Sequence, residues 1–394
     1  MHRVYLDNNA TTPVLPEVLE AMQPYFSERF GNASSIHHHG QETRAAVERA
    51  RESVAKLLSC VSSEVVFTSG GTEADNLAIF GIVAEGDHII SSTIEHHAVL
   101  NACKHAESIG CEVSYVPVDA SGRVDPQNVK RALRPTTKLI SIMLANNETG
   151  VLQPVEEIGK IAAEADVYFH TDAVQAAGKI PLSVKDIRCD LLSISGHKLH
   201  AAQGVGALYV RKGTELYPMI YGGSHERARR AGTENVPGIV GLGKATDLAL
   251  ASLKDGQVDK IRNLRDRFER TILGAVDDAG VHGDRAPRVP NTTSIYFDYL
   301  EGESIVIALD LKGLAVSTGA ACSSGAIEPS HVLIAMGVPP ERARASIRFS
   351  FGKQNTEDDA DYALALVPET IARLRELSPV YNQHTVRPWR AVHE

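Results

Sequence analysis

The chain lacks most of the marks of several large protein classes. Of its 394 residues only 5 are cysteines, an odd and widely spaced set (Cys60, Cys103, Cys111, Cys189, Cys322) with no C-x-x-C pair. That argues against a disulfide framework and a structural zinc site, and it fits a reducing compartment. Aromatic residues make up 5% against 31 glycines, which points to an α/β protein packed on Ala, Val and Ile. Positive charge is not in excess: the formal net charge is −9, which disfavours a direct nucleic-acid partner because a phosphate-binding face needs clustered Lys and Arg. No apolar run reaches the ~18 residues that cross a bilayer, and Met1–Asp7 carries no apolar leader core. The expectation is a cytoplasmic protein without membrane contact. Repeats and low-complexity segments are missing too, and 43% hydrophobic with 23% charged residues is the balance of a globular enzyme rather than a disordered tail.

Between residues 60 and 210 short β-branched runs alternate with amphipathic stretches, the pattern of a mostly parallel sheet covered by helices. Strands are expected at 64–68, 88–91, 112–116, 139–144, 167–171, 191–195 and 205–210, seven in one sheet. Helices should begin near Thr72, His96, Pro126 and Pro154, the last two with proline in the first turn. Residues 235–280 read as two helices. A smaller α/β unit follows, with strands at 293–297 and 345–351, a helix near 303–310 and a last helix over 356–377. The expected division is 14–260 for a large domain, with 1–13 and 261–394 forming a small one. The run His225-Glu226-Arg227-Ala228-Arg229-Arg230 is either a local basic patch or an interface loop.

Three strand ends carry the chemistry. Ser193-Ile194-Ser195-Gly196-His197-Lys198 ends a strand in a glycine turn that presents a lysine, and a lysine whose amine is kept neutral by burial can form a Schiff base. His170-Thr171-Asp172-Ala173-Val174-Gln175 places a carboxylate at a strand's carboxyl end, where open α/β sheets bind ligands. Asp172 there either pairs with a protonated pyridine nitrogen or caps the following segment, and Gln175 can reach a phenolic oxygen. Phe67-Thr68-Ser69-Gly70-Gly71-Thr72-Glu73 is a strand, glycine turn and helix start, a cradle for one phosphate rather than a P-loop or dinucleotide fingerprint.

These segments, together with Tyr5-Leu6-Asp7-Asn8-Asn9-Ala10-Thr11-Thr12, Ile94-Glu95-His96-His97-Ala98-Val99, Asn146-Asn147-Glu148-Thr149-Gly150-Val151, Arg230-Ala231-Gly232-Thr233-Glu234-Asn235, Gly319-Ala320-Ala321-Cys322-Ser323-Ser324-Gly325 and Ile347-Arg348-Phe349-Ser350, resemble the cysteine desulfurases of the NifS/IscS type. That group lies within the class V, fold-type I pyridoxal phosphate enzymes. The resemblance runs nearly end to end and implies the fold-type I architecture and an obligate homodimer. By position it implies that Lys198 carries pyridoxal 5'-phosphate, Asp172 holds the pyridinium nitrogen and Gln175 the phenolate. It further implies that His96 stacks on the ring and shuttles protons, while Gly71, Thr72, Ser195 and His197 hold the phosphate. Thr233 would reach the phosphate of the neighbouring subunit. Arg348, whose planar fork binds two oxygens at once, and Asn147 would hold the substrate carboxylate.

Cofactor apparatus alone does not choose a reaction. Within the resemblance Cys322 does, as the thiolate that takes sulfur from L-cysteine, leaves L-alanine and carries the sulfur as a persulfide to a scaffold protein for iron–sulfur assembly or to tRNA thiolation. No metal is implied. Selenocysteine lyase, class V aminotransferase and a non-catalytic sulfur-relay subunit are the competing readings. Two places depart from the family pattern: Ala202-Gln203 stand where relatives commonly have Pro-Lys before Gly204, and His225 stands where Gln is expected.

Overall fold

The computed structural model describes residues 2–319, 328–379 and 381. In chain order the strands are β1 (Val4–Tyr5), β2 (Val65–Thr68), β3 (His88–Ser92), β4 (Glu112–Val116), β5 (Thr137–Ser141), β6 (Tyr168–Asp172), β7 (Leu191–Ser195), β8 (Gly206–Val210), β9 (Ala279–Val281), β10 (Thr292–Phe297), β11 (Leu314–Ala315) and β12 (Ser346–Ser350). A seven-stranded sheet has the order β2-β8-β7-β6-β5-β3-β4. All its pairings are parallel except those of β8, which runs antiparallel to both β2 and β7.

Alternation along the strands sorts their side chains onto two faces, as the pleat requires. Val65, Phe67, Ile90, Ile140, Leu192 and Ala207 enter one core, which also takes in the helices His38–Leu58, Val155–Ala165 and Val236–Ser252. Their neighbours Val66, Ile89, Leu139, Leu191 and Leu208 enter the opposite core, under the helices Gly71–Phe80 and His97–Ser108. Both faces being covered explains why these strands read as continuous apolar runs.

A second, smaller sheet, β12-β10-β9, is antiparallel. Phe268, Phe297, Phe349 and Phe351 fill its core between the helices Gln257–Ala275, Gly302–Asp310 and Glu357–Leu377. β1 pairs in parallel with β11, and Asp7 bridges to Ser350. The first residues are thereby tied to this unit, and the chain then runs from Asp7 to Thr12 across to the large sheet, where the Thr12 N–H and hydroxyl both donate to the His197 carbonyl.

All seven expected strands of the large sheet form, β4 and β7 with the expected bounds and the other five with shifted ends. The run expected at 139–144 is paired from Thr137 to Ser141. Beyond it the Ile142 and Leu144 N–H groups still donate to the His170 and Asp172 carbonyls, which carries Met143 to the site. The stretch 225–230 is no open basic patch. Glu226 is buried in a bidentate pair with Arg51 (2.6 and 2.8 Å) and also accepts from the Phe67 N–H at 2.9 Å, while Arg230 donates to Glu73 at 2.8 Å. Leaving Arg51 or Glu226 alone in that interior would cost about 3–5 kcal/mol, enough to pin the segment to β2. Among the described residues no single helix is long and apolar enough to cross a membrane.

Candidate active site

The carboxyl ends of β6 and β7, the turn after β2 and the strand β12 converge on a cavity of about 340 Å³. Gly71, Thr72, His96, Asn147, Asp172, Gln175, Ser195, His197, Lys198 and Arg348 all line it. Thr233 does not: it is exposed, outside the cavity of its own chain. Cys322 lies outside the described residues.

One end of the cavity is built for an anion. Gly71 opens the helix Gly71–Phe80, whose first N–H groups have no partner within the helix, and Thr72, Ser195 and His197 add polar side chains beside them. A Cβ on Gly71 would come within 2.9 Å of Val174 Cγ2, so only glycine lets the chain pass this close. Burial, then the Lys198 charge, pushes the His197 imidazole down to about 4. Its Nδ1 lies 3.2 Å from Thr11 Oγ1.

At the middle stands Asp172, buried, accepting the Val174 N–H at 2.8 Å through Oδ1. It therefore makes the local turn and lines the cavity as well. Burial raises this carboxyl to about 6, opposed by the Val174 N–H and by Lys198. Beneath it lies Asp75, also buried, whose Oδ1 has no hydrogen-bond partner. Burial and the Asp172 charge both oppose ionisation of Asp75, which is raised well above the ordinary range, so Asp75 is the member of the pair that keeps its proton. His170, hydrogen-bonded to Ser141 Oγ (2.9 Å) and Ser193 Oγ (3.0 Å), is pushed down to about 3 by burial and adds no charge.

Lys198 Nζ donates to the carbonyls of Asn9 (2.6 Å) and Ala10 (2.5 Å). The Gln175 amide donates to the same Asn9 carbonyl at 2.9 Å. Asn9 is held in turn at every polar atom of its side chain: Nδ2 donates to Thr292 Oγ1 and the Asn147 carbonyl, and Oδ1 accepts from Asn291 Nδ2 and Lys179 Nζ. His96 caps the helix His97–Ser108, its Nδ1 accepting the Ala98 N–H at 3.1 Å. Burial first, and Lys198 next, push its imidazole down to about 4. The ring is neutral near pH 7 with its proton on Nε2, the tautomer that the Ala98 contact assigns.

Opposite stands Arg348 on β12, 4% exposed. Its Nη2 donates to Asp7 at 2.7 Å and Nη1 to the Asn147 carbonyl at 3.0 Å, but the buried Nε has no acceptor among the described residues. Asn9, Asp7 and Asp75 were not singled out from sequence. Their signal was present for Asn9 and Asp7 in the polar run Tyr5–Thr12, which reads as a motif but gives no hint of which of its atoms meet a lysine 190 residues away.

The donor set fits pyridoxal phosphate: a helix N-terminus with hydroxyl and imidazole groups for one phosphate, a buried carboxylate for a ring cation, an amide for a phenolate and an amine for an aldehyde. Arg348 brings a guanidinium to the cavity lining, a group suited to a carboxylate. No group of three or more His, Cys, Asp or Glu side chains able to hold a metal ion occurs among the described residues.

Comparison with known proteins agrees. The model of the family "Aminotransferase class-V" matches residues 4–363. The chain is 52% identical over 384 residues to "Cysteine desulfurase IscS" of Dictyoglomus turgidum, covering 96% of this chain and 97% of that protein. To "Cysteine desulfurase IscS" of Methanosarcina thermophila it is 50% identical, over 96% and 94% of the two chains. Among solved structures it is similar to a "NIFS-LIKE PROTEIN" (TM-score 0.87, 38% identity, covering 95% of this chain and 100% of that one). It is also similar to "SspA in complex with cysteine" (TM-score 0.79, 37% identity, covering 90% and 100%).

Proposed function

The chain belongs to the class-V aminotransferase family and, within it, to the cysteine desulfurases, which use pyridoxal phosphate; from that premise we propose how its own residues divide the work. The observation that carries the reading is the convergence of Lys198, Asp172, Gln175, the Gly71–Thr72 helix start and Arg348 on one cavity.

In this reading Gly71, Thr72, Ser195 and His197 bind the phosphate, and Asp172, left ionised while Asp75 keeps its proton, holds the ring nitrogen in its cationic form. Bound pyridoxal phosphate supplies the sink for the electron pair left when the substrate's Cα–H bond breaks. Lys198 anchors the cofactor and then takes the Cα proton at Nζ. His96 lies against the ring and passes protons through Nε2, being neutral across the working range of pH. Arg348 and Asn147 bind the carboxylate of L-cysteine. Cys322, as thiolate, attacks the substrate sulfur: the new S–S bond forms, the C–S bond breaks with its pair going to carbon, and protonation of that carbon together with return of a proton to Cα from Lys198 Nζ gives alanine.

The same reading places Thr233 at the cofactor phosphate of a second subunit, so that the working enzyme is a homodimer. It assigns residues 14–260 to the cofactor-binding domain and 1–13 with 261–394 to the domain that carries Cys322. The acceptor of the persulfide is a scaffold protein for iron–sulfur assembly, and the compartment is the cytoplasm.

Two measurements test this. Purified protein given L-cysteine and a thiol reductant should yield alanine and sulfide in equal amounts; keto-acid transamination without alanine from L-cysteine would sink the reading. Arg348→Ala should raise KM for L-cysteine roughly 10- to 100-fold with a smaller effect on kcat, the loss of one charge-assisted carboxylate contact. An unchanged KM would remove Arg348 from the substrate site.

A further inference from the structure

Beside the site, a lysine that the chemistry above does not use sits in contact with a group it does use. Lys179 Nζ donates to Gln175 Oε1 at 2.7 Å and to Asn9 Oδ1 at 3.2 Å. Lys179 follows Gln175 by one turn, in a segment (Ala173–Lys179) whose first residue is tied to the Ser193 carbonyl.

An amide side chain has two faces that differ only in which atom is oxygen and which is nitrogen, and its neighbours decide which way round it stands. Here the Lys179 amine donates, so the atom beside it is Oε1, an orientation consistent with the acceptor-only Asn9 carbonyl on the far side. Nε2 is then forced to the other side, where one of its N–H groups goes to the Asn9 carbonyl at 2.9 Å. The second N–H remains for a group held in the cavity that Gln175 lines. Without Lys179 the Asn9 carbonyl alone opposes the flipped orientation, in which an oxygen would meet that carbonyl and the cofactor's phenolate.

We propose that Lys179 is a positioning residue for the cofactor: by donating to Gln175 Oε1 and Asn9 Oδ1 it fixes the Gln175 amide with its N–H toward the phenolic oxygen. This rests on the reading of Gln175 given above. The arrangement is an unusual use of a lysine, since the side chain is taken largely out of water beside two other cations, Lys198 and Arg348, which with burial lower its pKa well below that of an exposed lysine. The other charged or titratable groups near it, His200 and Lys353, border the small cavity behind Lys198 that Lys179 also lines. Salt bridging does not account for the residue: its Nζ donates to the amide oxygens of Gln175 and Asn9. A surface role does not either.

The test follows the visible absorption of the full-length holoenzyme as a function of pH, with the dissociation constant for pyridoxal phosphate. A donor to the phenolate stabilises its anion, so losing that donor raises the pH at which the chromophore gives up its proton. Lys179→Met should move this midpoint up by about one pH unit and weaken cofactor binding roughly tenfold, the scale of one hydrogen bond to a charged group. Gln175→Ala should produce a similar shift, and the double variant should move little further than Gln175→Ala alone, since Lys179 acts through Gln175. Lys179→Gln, which keeps an N–H donor and removes the charge, should restore most of the wild-type midpoint and serves where the methionine variant folds poorly. The proposal is overturned if Lys179→Met lowers the thermal midpoint while the titration and cofactor affinity stay at wild type, or if its shift adds in full to that of Gln175→Ala. A shift in neither single variant would overturn the assignment of Gln175 as well, whereas a shift in Gln175→Ala alone removes only Lys179.

Discussion

Lys198→Ala should slow alanine formation from L-cysteine by at least about a thousandfold, the upper part of the range for a positioned proton-transfer group. Two functions are lost with one side chain. In the proposed reading the amine that would anchor the cofactor disappears, and with it the base for the Cα proton. The phosphate cradle and Asp172 are untouched by the change, so the variant should still take up pyridoxal phosphate, now without covalent attachment. Borohydride reduction followed by peptide mass analysis reads this directly: the wild-type peptide containing Lys198 gains the mass of the reduced cofactor and the variant yields none. Wild-type turnover by the variant, or a reduced adduct on another lysine of the wild-type protein, would end the assignment. Lys179 makes the second outcome worth watching for, because its amine and that of Lys198 both reach polar atoms of Asn9.

Cys322→Ala should keep the bound chromophore and its spectral response to L-cysteine while sulfide release with a thiol reductant falls at least about a hundredfold. The argument combines the reactivity of thiols with what the fold does to the remaining cysteines. A cysteine attacks sulfur as thiolate, and burial in apolar surroundings suppresses that form. Cys60 and Cys103 are pushed up to about 12 by burial, and Cys111 and Cys189 are raised for the same reason. None of these four lines the cavity. They are thiols at neutral pH, packed as small hydrophobes in the way their sequence context indicated. Cys322 is the cysteine left to carry the sulfur. Sulfide release at the wild-type rate from Cys322→Ala, measured together with alanine, would refute this.

The elements of the fold that could be read from sequence are those whose cause is local. β7 was legible residue for residue because Leu191–Ser195 is an apolar run between an aspartate and a glycine turn, and the pleat sorts such a run whichever sheet it joins. The helix after Asp125 was legible because the Asp125 side chain caps the Gln127 N–H and Pro126 takes the first turn. The end of β5 was not, since Ile142–Leu144 keep their backbone bonds to β6 while leaving the regular ladder, a matter of the partner strand and not of their own composition. At the site, residues whose chemical type is conspicuous could be picked out: a lysine after a glycine turn, a carboxylate at a strand end. Asn9 and Asp75 could not, because an asparagine's role depends on which atoms arrive from β10, β12 and the turn after β6. The neutral state of Asp75 depends on a second carboxyl being brought against it, and that closeness is written only in the packing.

Arg348 donates to Asp7, the Asn9 N–H donates to the Ser350 hydroxyl, and Asn8 Nδ2 donates to the Ser350 carbonyl. The segment that receives the Lys198 amine is thus set in place by a strand made some 150 residues after that lysine. The large sheet with Asp172 and the Gly71 helix start is complete before β12 in the chain, but the segment that receives the Lys198 amine then lacks the bonds that β12 supplies to Asp7, Asn8 and Asn9. The framework that aims the lysine is thus shared between the large sheet, through Thr12, Gln175 and Lys179, and the far end of the polypeptide, through β12.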